Sequence, residues 1–94
     1  MASEAQDRAK SAGEAEFGTL VLMFGTAAML HLGATPDPVS GETKQDLPQA
    51  KRLIDLLDVL KAKTTGNLTM EESVILDNLL FDLRMRYLEA VKRT

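Results

Sequence analysis

Three features of this chain have residue types and spacing suited to chemistry: a single histidine, His31; two carboxylates one helical turn apart, Asp55 and Asp58; and the run KTTGN at 63–67. An imidazole titrates near neutrality and serves as a general base or a metal ligand. Zinc takes three or four ligands, and the chain has no cysteine and no second histidine. His31 instead reads as a residue in the last turn of a helix, where an imidazolium interacts with terminal carbonyls. The remaining route to a metal is two chains meeting histidine to histidine across a symmetry axis. Asp55 and Asp58 are spaced to share a cation, yet such pairs are routine on solvated helix faces, and Lys51 and Arg52 offer ordinary ion pairs. The KTTGN run lacks the glycine spacing and the Gly-Lys-Ser/Thr of a phosphate loop. Gly66 and Asn67 read as a helix stop and turn.

Two further patterns have bland explanations. Asn67-Leu68-Thr69 fits the glycosylation acceptor, but the start of the chain, MASEAQDRAKSAGEAE, is acidic and polar, unlike a secretory signal. Thr69 is better explained as a helix cap. Arg84, Arg86, Lys92 and Arg93 make a basic carboxyl end, with only Tyr87 nearby for stacking. Fourteen acidic residues against eleven Lys and Arg leave a net charge of −3, which argues against nucleic acid as a partner. No catalytic, cofactor-binding or metal residue is assigned, and the chain is read as a non-enzyme without a cofactor.

The elements that would position these residues are helices. Residues 17–32, FGTLVLMFGTAAMLHL, form an apolar run in which only His31 titrates. A surface helix needs one apolar stripe, and this one is apolar nearly all round. A helix of that length reaches about 24 Å at ~1.5 Å per residue, short of the roughly 30 Å hydrocarbon core. Glu14 and Glu16 precede it in place of basic flanks, so an integral membrane span is disfavoured and a buried helix expected. The first helix is placed from about Ala15 to Leu32, after a flexible polar tail over 1–14. The single helical domain then covers 15–94. Gly33, Pro36 and Pro38 stop the helix.

The second helix opens on Asp46 as N-cap, with Gln49 completing a capping-box pattern. Ala50, Leu53, Ile54, Leu57 and Leu60 form one stripe, and Gly66 ends the helix. The third opens on Thr69 with Glu72 as its capping-box partner and runs to about Lys92. Leu76, Leu79, Leu80, Leu83 and Tyr87 make one apolar face of it. Val74, Phe81, Met85 and Leu88 make a second, nearly opposite.

The blocks HLG, IDLL, KTTGNLT and LRMRY follow in order along the chain. With the segments around them they cover most of 17–90 and resemble a small bacterial family catalogued only as a domain of unknown function. The resemblance implies a small, cytoplasmic, all-helical protein. It implies no activity, cofactor or catalytic residue.

The expectation is an all-α, three-helix unit in which the second and third helices form an antiparallel hairpin, with the first packed across them. Excess apolar surface implies a homodimer or higher oligomer. The candidate interface is Gly18, Leu22, Gly25 and Met29 on the first helix, with Val74, Phe81, Met85 and Leu88 on the third. The chain then acts as a scaffold or a partner-binding regulatory subunit, with itself and another protein as partners. Two other readings stand beside it. One is peripheral membrane association through the first helix; the other is an enzyme or ligand binder with an intersubunit pocket near His31.

Overall fold

The computed structural model describes the backbone of residues 2–94 and the side-chain surroundings of Gly13 and residues 15–94. Three helices, α1 (Ala2–Leu32), α2 (Leu47–Thr64) and α3 (Met70–Arg93), each pack against the other two. Among the described residues there is no strand. The all-α, three-helix architecture is the one the periodicities predict.

The start of α1 differs from the expectation. Its backbone is helical from Ala2, whereas the sequence reading placed the start near Ala15. The segment ASEAQDRAK is built from good helix formers, Ala, Glu, Gln, Lys and Arg, so propensity carries the helix backward without an apolar stripe. The side chains of the expected tail lie outside the described residues, Gly13 excepted.

The carboxyl end of α1 is closed by contacts both local and remote. Gly33, at φ +76°, donates to the Leu30 carbonyl, and Ala34 donates to the Met29 carbonyl, both at 3.0 Å. That is a Schellman ending, which requires the left-handed backbone glycine tolerates. The next two orphan carbonyls are taken by the segment leading into α2. The Asp46 N–H donates to the His31 carbonyl at 2.7 Å, and Gln45 Nε2 donates to the Leu32 carbonyl at 3.2 Å.

Asp46 is therefore committed twice. Its side chain caps α2 by accepting the Gln49 N–H at 3.2 Å, as its position predicts. Its own N–H is spent on α1, so α2 carries a one-sided cap. At α3 the full box forms: Thr69 Oγ1 accepts the Glu72 N–H at 3.2 Å, and the Glu72 carboxylate accepts the Thr69 N–H at 2.8 Å. Between α2 and α3, Asn67 donates to the Thr64 carbonyl at 2.9 Å across Thr65 and Gly66. With Gly66 at φ +87°, this is a type II turn, which needs positive φ at its third residue.

The core lies where the three stripes meet. Val21, Ala28 and Leu32 of α1 join Ala50, Ile54 and Leu57 of α2, and Leu76, Leu80, Leu83 and Ala90 of α3. Phe17, Phe24, Met29, Leu53, Leu60, Leu79 and Tyr87 pack around them. Leu57, Leu76 and Leu83 are wholly buried, so truncating any one to alanine costs about 2–5 kcal/mol. The predicted stripes of α2 and α3 are thus the ones that fill the core. Two exposed ion pairs link α2 to α3: Lys61 with Asp77 at 2.7 Å, and Asp58 with the Arg84 guanidinium. Each contributes at most about 1 kcal/mol in water.

Candidate interaction surface

The residues with chemical potential are dispersed over this frame. His31 is half-buried at the end of α1, beside a shallow recess also lined by Thr35, Asp37, Glu42, Lys44 and Asp46. Asp55 pairs with Lys51 at 3.0 Å on the outer side of α2, and that carboxylate holds the Lys51 ammonium above its ordinary pKa. Asp58 turns instead toward Arg84, so the two carboxylates do not converge. Among the described residues no three His, Asp or Glu side chains gather as a metal site. Thr64, Thr65 and Gly66 build the turn rather than a phosphate loop, and Thr69 is the α3 cap. Of the basic cluster, Arg84 is held by Asp58 and Arg86 by Asp82 at 3.1 Å, both carboxylates within the chain.

Exposed apolar surface is concentrated on two helices. On α1 only 22% of the residues in Ala15–Leu32 are buried. Val21, Gly25, Ala28 and Leu32 face inward. The opposite side carries a shallow groove lined by Thr19, Leu22, Met23, Thr26, Ala27 and Leu30, with Leu22 66% exposed. By length and composition this stretch of α1 is also apolar enough to cross a membrane. On α3, Val74, Phe81, Met85 and Leu88 are all solvent-exposed, Phe81 to 69%. Both α1 and α2 pack on the inner stripe of α3, so neither covers this outer face.

The residues singled out on α1 are divided by the fold. A Cβ at Gly25 would meet Leu79 Cδ1 at 2.9 Å, so this glycine admits α3 within the chain. Met29 packs against the core. Gly18 has nothing within 4 Å of a Cβ position, and Leu22 lies on the open face. Of the four candidate interface residues on α1, Gly25 and Met29 are thus engaged within the chain, and Leu22 is open. Leu20 and Met23, outside the predicted set, are exposed on α1, and the half-buried Ala27 and Leu30 line its groove. Their signal was the absence of any polar side on residues 17–32.

These features define a small all-helical bundle whose core draws on all three helices and whose first and third helices each hold an apolar face outward. The chain belongs to the DUF1844 family, described as a domain of unknown function, whose model matches residues 14–89. No curated protein and no solved structure matches the chain. The ordered blocks lie inside the matched span, and several have structural work there. HLG contains the α1 terminus and its Schellman glycine; KTTGNLT makes the turn and the α3 cap.

Proposed function

We propose that this protein is a non-catalytic, cytoplasmic helical module that self-associates and serves as a scaffold or partner-binding regulatory subunit. Within each chain α2 and α3 run antiparallel. The two ion pairs support that direction, since Asp58 and Lys61 on α2 pair with Arg84 and Asp77 on α3 in reversed order.

The observation that carries self-association is the outer face of α3. Val74, Phe81, Met85 and Leu88 are 50%, 69%, 45% and 52% exposed on an otherwise well-formed helix. Burying one such side chain stabilises by about 1.5–3 kcal/mol, and net folding stability is only about 5–15 kcal/mol. A second copy that covers four of them supplies a large driving force. Light scattering across micromolar concentrations should show an oligomer. Phe81→Asp with Met85→Lys should dissociate it while leaving helical circular dichroism unchanged, because neither side chain belongs to the core. A wild-type monomer over that range would overturn the reading.

The exposed face of α1 favours one second reading, peripheral membrane association. Flotation with neutral and anionic vesicles tests it, and comigration that Leu22→Asp abolishes would support it.

A further inference from the structure

The geometry points to a second copy of this chain as the occupant of the outer α3 face, seated antiparallel, with the two-fold axis between residues 79 and 80. This inference rests on self-association and adds the surface, direction and register. Val74, Asn78, Phe81, Met85 and Leu88 recur at alternating four- and three-residue steps. That is the a/d spacing of a two-stranded helical seam. The buried stripe of α3 lies on the other side of the helix, so the seam is free along its length. Asn78 is the single polar interruption in the row and lies beside the proposed axis.

Charge selects the direction. Glu71 is the exposed acid in the first turn of α3, Glu72 being buried in the cap with Thr69, and the last turn holds Lys92 and Arg93. A parallel pair sets acid against acid and base against base, with helix dipoles aligned. An antiparallel pair sets each acidic first turn toward the partner's basic last turn and opposes the dipoles. The flank of the seam repeats the asymmetry, with Asp77 on the amino-terminal side of the axis and Arg84 on the carboxyl-terminal side.

Charge also selects the register. Placing Val74 opposite the second copy's Met85, and Asn78 opposite its Phe81, brings Asp77 beside the second copy's Arg84, twice by symmetry. The existing Lys61–Asp77 and Asp58–Arg84 pairs would then join into alternating four-charge networks. Sliding one helix by a heptad, so that Phe81 faces the second copy's Met85, sets Arg84 against Arg84 and Asp82 against Asp82. That slide juxtaposes like charges and is disfavoured.

The natural absence of cysteine makes this directly testable. Val74→Cys and Met85→Cys proteins are prepared singly, then oxidised alone and as an equimolar mixture, with sedimentation velocity run on each sample. The antiparallel register expects a covalent dimer in the mixture linking Cys at 74 to Cys at 85, and little in either sample alone. Identical positions would lie about 16 Å apart along the axis, at ~1.5 Å per residue. Efficient cross-linking of either protein with itself would establish a parallel pair and overturn the inference. An oligomer in sedimentation without the 74-to-85 bond would overturn this seam but leave self-association standing. Monomers in every sample would overturn both.

Discussion

The backbone N–H of Asp46 donates to the carbonyl of His31 at 2.7 Å, tying the last turn of α1 to the cap of α2. Residues 33–46 separate the two helices in sequence, so this bond is made by the fold and not by local geometry. It also gives His31 a structural role that its imidazole does not perform, because the acceptor is the main chain.

His31→Gln should therefore fold, keep the wild-type oligomeric state and melt within a few degrees of it. Asp46→Ala removes the side-chain cap of α2 and should cost about 1 kcal/mol. Urea denaturation followed by circular dichroism measures both. Loss of the oligomer or of a bound metal in His31→Gln, with folding intact, would assign the imidazole a functional role instead.

Gly25 and Gly18 predict opposite outcomes. A side chain at Gly25 meets Leu79 Cδ1 at 2.9 Å, while Gly18 has open space around its Cβ position. Gly25→Val should destabilise by roughly 1–3 kcal/mol through overpacking at the α1–α3 crossing. Gly18→Ala should stabilise by about 0.5–1 kcal/mol through helix propensity alone. Equal effects in thermal or urea unfolding would contradict the crossing seen here.

Asp37 organises the loop between α1 and α2. Its carboxylate accepts the Val39 N–H at 2.7 Å and the Ser40 N–H at 3.1 Å. The Val39 bond first, then the Ser40 bond, holds its pKa below the ordinary 3.8. A depressed carboxylate pKa stabilises the folded loop above the unfolded value, and that stability is lost as pH falls through the folded one. Carboxyl NMR shifts should give an Asp37 midpoint below 3.8, with loop amide signals moving in step. Asp37→Asn should abolish that acid-linked change.

Much of the fold was legible because its signals are local. Helix ends depend on residues within a turn of one another, so Thr69 with Glu72, Asp46 with Gln49, and the glycines at 33 and 66 mark their termini in the sequence. The stripes of α2 and α3 were equally legible, since polar residues on their flanks reveal which side turns inward. The start of α1 was missed because residues 2–14 favour a helix by propensity alone, with no apolar periodicity to announce it.

The sequence by itself determined three helices, their caps, and two apolar faces on α3, since each depends on neighbours three or four residues away. Tertiary structure alone decided which side of α1 is buried. A helix apolar nearly all round carries no internal preference for a face, and the side that packs inward is the one where Gly25 admits Leu79. The same holds for Asp58 with Arg84 and for Asp46 with His31, pairs that only the packing of separate helices brings together.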